Sequence, residues 1–533
     1  VSATRDRLRV WAAALAAAGL AAAWNAWSRG GQVCGPVDDE TLLLPIALRH
    51  AELATYEGDR WLAATARVFS VPYSWIVGSL MASIDDPIVA LRWLALPFHA
   101  VFLAGTWRVA ERDGGPAAGL VAMLLCLVPP LDRIVLAPGG GLPRDLVFAL
   151  LPWFLLGADA TLARPRAGLW LFAGLGLVAN LHPLTALHAA VWLGAIGLVR
   201  DPSPRGLVAA LMRGLGFATG AAPYVMQYLA RPAAPGAVDQ AVYVWRLGSM
   251  GGESVGSFAL RMETVLLLGA AAAVVVLAWR KDGGRWPKWF AAAAALALVL
   301  AALGPTLGRF VVPLRAVQLA RFERIAAWCA IVLLASGGVA VWRAGRKRSV
   351  VVAAVLVAAA AWGPWLLGGV PIRGPLARLG RKLDRSSGVP YEPPAPPGLA
   401  VRKDVADPSS PELRDAFLSV CSLARAATPE GALFLVPPEK WGPFRVYARR
   451  AVAVTRKEGG AALSFLGAAG MRWFDDYAEA VRVYASGDEA AWKELAGRGG
   501  ASFVIADAGT RAPAGWPVVF EAAPFRVLAV PAK

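Results

Sequence analysis

Runs of apolar residues long enough to cross a bilayer recur along the first two thirds of the chain. A hydrocarbon core about 30 Å thick needs about 20 apolar residues in helical conformation. Candidate runs, some of them short, fall near 10–27, 88–108, 116–130, 143–158, 167–181, 184–199, 207–229, 259–279, 288–304, 322–342 and 349–369. They predict about eleven transmembrane helices. One further stretch, "WLAATARVFSVPYSWIVGSLMASI" at 61–84, is apolar but interrupted by Arg67 and Pro72. If it stays on one side, every compact basic loop shares a face with the N-terminus, among them Arg5/Arg7/Arg9, Arg164/Arg166 and Arg343/Arg346/Lys347/Arg348. Basic loops mark the cytoplasmic side. The stretch is therefore expected to be interfacial or re-entrant, and the long loop 28–87 and everything after residue 370 to lie outside.

Beyond residue 370 the pattern changes. Residues 371–410 are rich in proline and charge, with "YEPPAPPG" at 391–398, as in a semi-rigid linker. From 411 to 533 short apolar runs ("GALFLVPP", "RAVAVTR", "ASFVIADAG", "PVVFEA", "FRVLAVP") alternate with helical spacing in "SPELRDAFLSVCSLARAA", "MRWFDDYAEAVRVYA" and "DEAAWKELAGRG". The expected organisation is a transmembrane domain over 1–370, a linker over 371–410, and an extracytoplasmic α/β domain over 411–533.

Composition agrees with the pattern. Of 533 residues 57% are hydrophobic and 17% charged, which places the chain among polytopic membrane proteins. A net charge of +17 is also a mark of nucleic-acid binders, but positive cytoplasmic loops account for it and nucleic acid is not an expected partner. The first run also fits a signal peptide, since "RDRLRV" precedes an alanine-rich core. The four cysteines, Cys34, Cys126, Cys329 and Cys421, show no metal-ligand spacing and define no disulfide framework. Under this topology Cys34 and Cys421 are expected to react with an impermeant thiol reagent outside if they are accessible, and Cys126 and Cys329 are not.

Charged residues pool at the outer ends of the predicted helices. "CGPVDDETLLLPIALRH" at 34–50 sets Asp38, Asp39 and Glu40 in a row, which suits either a site at the membrane edge or a helix-capping solvated loop. "GGGLPRDLV" places Arg144 and Asp145 where a helix begins; an arginine there can grip phosphate or snorkel to lipid. His182 in "NLHPLTALH" sits at a hairpin turn, where it can bind a metal, move a proton or donate to a phosphate, or stand as an ordinary polar residue before proline; His99 is expected to be packed and hydrogen-bonded. "GPTLGRFVVPLRAVQLARFERIAAW" spaces Arg309, Arg315, Arg321 and Arg324 among apolar residues, as in an interfacial segment.

Together these features resemble the GT-C superfamily of membrane glycosyltransferases, which use polyprenyl-phosphate sugars. "PVDDE" matches the acid of that family's first outer loop, and "GLPRD" the acid of the second. The sequence departs from the oligosaccharyltransferase branch, which has an acid-x-acid pair where "PRDLV" has one acid, and whose Trp-Trp-Asp-Tyr-Gly motif "WFDDYAE" only echoes. The resemblance implies transfer of a sugar from a lipid-linked donor to a lipid, polysaccharide or protein acceptor in envelope glycan assembly, in a bacterial inner membrane. It implies Asp39, or Asp38, as general base, Arg144, Arg315 and Arg321 on the donor phosphate, and Glu40, Asp145 and His182 as groups that hold a divalent metal (Mg or Mn) or support the acids. A non-catalytic scaffold of polymer assembly and a lipid or polysaccharide transporter are the alternatives.

Overall fold

The computed structural model describes residues 40–51, 53–67, 69–84, 86–128, 142–162, 164–229, 291–301, 319–343, 412–459, 468–507 and 509–531, with short pieces and single positions elsewhere. The chain divides into two compact units. One comprises Val1–Arg29, Arg92–Val225 and Gly251–Tyr391, the other Gly30–Leu91, Met226–Met250 and Glu392–Lys533.

Three helices open the described chain: α1 (Glu40–Ala51), α2 (Arg60–Ala66) and α3 (Val71–Ser83). Asp59 starts α2 by accepting a hydrogen bond from Leu62 N, and Ser70 starts α3 by accepting one from Tyr73 N. These caps cut the apolar stretch 61–84 in two. The 13 residues of α3 extend only about 20 Å, short of a bilayer core. One face of α3 buries Tyr73, Val77 and Met81; the other exposes Val71 and Ile76, with Trp75 68% exposed.

The helical unit is built mainly from α4 (Pro87–Leu125), α5 (Pro143–Ala149), α6 (Leu151–Ala160), α7 (Pro165–Val178), α8 (Pro183–Arg200), α9 (Pro204–Leu229), α10 (Ala291–Ala301) and α11 (Phe322–Arg343). Proline opens α5, α7 and α8, where its missing N–H is one the helix would leave unpaired anyway. Gly115 kinks α4 with φ 75°, a left-handed conformation that glycine adopts without strain.

The expected eleven spans are corrected to a smaller set. Among the described residues three helices are long and apolar enough to cross a membrane: Val89–Arg112, α8 and α11. Gly114–Leu125, α7 and α10 are apolar but shorter. The run at 143–158 is split after Ala149, because Pro152 cannot donate to the carbonyl four residues back. The runs at 10–27, 259–279 and 349–369 fall largely or wholly outside the described residues.

Large aromatics fill this unit with their polar atoms satisfied. Trp328 Nε1 donates to Thr106 Oγ1 at 3.0 Å, and Trp192 Nε1 to Ala293 O at 3.0 Å. Helices α7 and α9 meet backbone to backbone: a Cβ on Gly216 or Gly220 would overlap the carbonyls of Leu169 or Ala173. This Gly-x-x-x-Gly spacing is the usual means of close helix approach in membranes.

The second unit carries α12 (Arg414–Ala427), β1 (Leu433–Leu435), α13 (Phe444–Ala448), β2 (Ala451–Val452), α14 (Ala468–Ser486), α15 (Glu489–Gly499), β3 (Phe503–Ala506), β4 (Val518–Ala522) and β5 (Phe525–Ala529). Its sheet has the order β2-β1-β3-β5-β4. β1 runs parallel to β2 and β3, and β5 pairs antiparallel with β3 and β4. Five strands and three helices lie where the alternation of apolar residues put them. Trp61 of α2 packs into the core of this unit with Trp473, Tyr477 and Val504, so the segment after the first apolar run is part of the sheet domain.

Candidate functional site

Asp145 stands in the first turn of α5, where a carboxylate suits the exposed N–H groups of a helix start. It is 4% exposed, and its Oδ1 accepts from Arg324 Nη1 at 2.6 Å. Arg324 also donates from Nη2 to Val135 O at 2.8 Å, and its Cζ lies 4.1 Å from the Phe148 ring centroid. Arg144 Nε is 4.0 Å from the same Asp145 oxygen. Asp145 Oδ2 and Arg324 Nε are buried with no hydrogen-bond partner among the described residues. The cluster thus has a held carboxylate flanked by two guanidiniums, and arginines so placed have the chemistry to bind an anion.

The other candidates are placed separately. Glu40 is the first residue of α1. The next residue, Thr41, abuts the loop before α13: a Cβ on Gly442 would come within 3.2 Å of Thr41 Cβ and Oγ1. Asp38, Asp39 and Arg315 lie outside the described residues. Arg321 is exposed on the short turn Leu319–Arg321 that leads into α11. His182 caps α8, its Nδ1 accepting from Thr185 N at 3.2 Å. His99 is buried, 4% exposed.

No group of three or more His, Cys, Asp or Glu gathers among the described residues. Asp145 fits poorly as a ligand for Mg or Mn, because one oxygen is held by Arg324 and a second guanidinium stands near it. It is better suited to fixing Arg324.

Two features were not singled out from sequence. Arg324 was noted only as one of four spaced arginines, yet it is the partner of Asp145. The second is a wholly buried network in the sheet unit. Arg445 Nε donates to Asp59 Oδ2 at 2.6 Å, its Nη1 pairs with Glu458 Oε1, and its Nη2 donates to Val452 O at 3.1 Å. Asp59 also accepts from Val452 N at 3.1 Å, and Glu458 from Thr455 N at 2.9 Å. Burial alone would lower the Arg445 pKa, but the two carboxylates outweigh it and raise it above its ordinary value. The network ties the segment before α2 to the sheet. Asp59 before an apolar helical run signals a cap in the sequence, but nothing there announces an arginine 386 residues away.

Cys421 does not meet the condition of accessibility on which its labelling was expected. It is 1% exposed in α12, and burial raises its thiol pKa well above the usual value, so it is not a labelling site in the folded protein.

Residues 415–475 match a family described as a domain of unknown function, DUF6798. No curated protein matches the chain. Among solved structures the chain is similar to an arabinofuranosyltransferase, AftD, from mycobacteria, with a TM-score of 0.50 and 15% identity over 98% of this chain. The chain spans 40% of the length of that protein. It is also similar to an oligosaccharyltransferase of Archaeoglobus fulgidus in the apo form, with a TM-score of 0.45 and 11% identity, covering 93% of this chain and 69% of that one. The fold is mainly α and similar to that of AftD, with helices long and apolar enough to cross a membrane and a sheet-bearing unit among the described residues.

Proposed function

We propose that the chain is a membrane glycosyltransferase that moves a sugar from a polyprenyl-phosphate donor to an extracytoplasmic acceptor in envelope glycan assembly. A fold alone hosts many functions. The observation that carries this reading is the cluster of Arg144, Asp145 and Arg324, whose two guanidiniums suit the phosphate of a lipid-linked donor. Arg324 joins Arg144, Arg315 and Arg321 as a phosphate-binding candidate, and Asp145 orients it.

In this mechanism the carboxylate of Asp39, or of Asp38, takes the proton of an acceptor hydroxyl as its oxygen attacks the anomeric carbon. The bond from that carbon to the donor phosphate oxygen breaks, and the electron pair leaves on the polyprenyl phosphate. The arginines stabilise that developing charge. A single displacement inverts the anomeric centre. Glu40 and His182 support the acids. The site and the sheet unit face outside a bacterial inner membrane, with the N-terminus in the cytoplasm.

The test is rescue of a deletion strain by wild type and by Asp39→Asn at matched protein levels, read as the sugar content of envelope lipids and polymers. Wild type is expected to restore a glycan that Asp39→Asn does not. Equal rescue removes Asp39 as the base, moves the test to Asp38, and favours a scaffold or a transporter.

A further inference from the structure

Arg213 lies in α9 nine residues after its first, and is 3% exposed. Its side chain occupies a slot between two glycines of neighbouring helices. A Cβ on Gly168 of α7 would come within 3.1 Å of Arg213 Nε, and one on Gly197 of α8 would overlap Nη1. Gly168 is one turn after the start of α7 and Gly197 one turn before the end of α8, so the guanidinium reaches back toward the membrane surface from which α9 starts. Nε is buried with no hydrogen-bond partner, and among the described residues no carboxylate pairs with Arg213.

The carboxylates at that end are already engaged. Asp159 holds both Arg112 and Arg200. Asp201 accepts from Ser203 N, and Arg205 lies within its electrostatic reach. Around them stand Arg164 and Arg166 at the start of α7. A buried guanidinium with no counter-ion among the described residues is costly, and beside the end of α8, a helix long and apolar enough to cross a membrane, it looks for an anion. Basic pockets between helices at this depth suit lipid phosphates.

We propose that the Arg213 guanidinium, lodged between Gly168 and Gly197, binds the phosphate of an anionic lipid headgroup at the mouth of that slot. The site lies where α7 and α9 begin and α8 ends, and it is independent of the proposed reaction. The ligand chemistry is a phosphate monoanion on Arg213, with the surrounding arginines adding attraction at longer range.

The experiment uses the full chain purified in neutral detergent, with native mass spectrometry and thermal melts. Three probes are added separately: phosphatidylglycerol, phosphatidylcholine and inorganic phosphate. Wild type is expected to retain phosphatidylglycerol and melt higher with it, and to respond to neither of the others. Arg213→Met is expected to bind phosphatidylglycerol about tenfold more weakly, the loss of one charge-assisted contact, while melting higher than wild type without lipid, because the unpaired charge is gone. Gly197→Ala, which keeps the arginine but fills its slot, is expected to weaken lipid binding in the same way and covers the case in which Arg213→Met does not fold. Equal phosphatidylglycerol binding by all three proteins overturns the proposal. Equal stabilisation of wild type by phosphatidylcholine overturns it too. Saturation by inorganic phosphate that displaces the lipid assigns the slot to the free anion and overturns the lipid source.

Discussion

In the unit that holds the sheet, Arg445 is wholly buried and meets a carboxylate on each side, Asp59 and Glu458. In the helical unit Arg324 meets one carboxylate, with Arg144 adding a second positive charge nearby, and Arg213 meets none. The first arrangement is closed. Its carboxylates also take backbone N–H groups of Val452, Leu62 and Thr455, so little hydrogen-bonding capacity is left for a ligand. The helical unit leaves Arg213 Nε and Arg324 Nε buried without hydrogen-bond partners among the described residues. A buried arginine is therefore a tie between distant segments in one unit and, in the reading proposed above, an anion seat in the other.

The comparison breaks most visibly at Arg445. Arg445→Leu leaves Asp59 and Glu458 buried without their cation, and is expected to destabilise the sheet unit by about 3–5 kcal/mol, measured by denaturant unfolding. A loss within the range of an ordinary surface substitution would show that the network is not closed.

A smaller effect is expected at Asp145. Asp145→Asn keeps the shape but removes the charge facing Arg324, which retains Val135 O and the face of Phe148. The expected cost is about 1.5–3 kcal/mol, read from thermal melts in detergent. The same variant leaves more positive charge at the cluster, so binding of a phosphate-bearing lipid there is expected to persist while sugar transfer falls. Loss of both together would mean that Asp145 is needed for more than orientation.

The smallest and sharpest effect concerns how dry the sheet unit is. Cys421 is expected to resist a thiol reagent in the folded protein and to react only after unfolding, followed by mass spectrometry. Its folded pKa lies above the unfolded value of 9.0 because burial disfavours the thiolate. The unfolded chain therefore loses its proton first: the contribution is intact below pH 9 and stability falls above it, by up to about 1.4 kcal/mol per pH unit. Replacement by Ala is expected to remove that slope. For topology, Glu494→Cys on the exposed face of α15 in a background lacking the native cysteines is the labelling position that the fold supports.

The spacing of apolar residues was enough to place helices and strands, because periodicity of 3.6 or 2 is a local property. It put α8, α11 and all five strands in position. The pattern left residues 61–84 ambiguous, interrupted by Arg67 and Pro72, and the distribution of basic loops set them apart from the spans. It overcounted spans because length in residues does not reveal a break such as the one before Pro152, where one missing N–H and one ring divide α5 from α6. Arg144 and Asp145 were legible as a helix-start pair. The role of Arg324 was not, since its partner is 179 residues away.

What the sequence determined by itself was the presence of long apolar helices and the alternation of helices and strands in the C-terminal region, both of which follow from composition and local order. What only the tertiary structure decided was partnership. Whether an arginine is closed by two carboxylates, held by one or left to seek an anion depends on segments hundreds of residues apart arriving at hydrogen-bond distance. Charge interactions at that range depend on burial and geometry, and no stretch of sequence contains either.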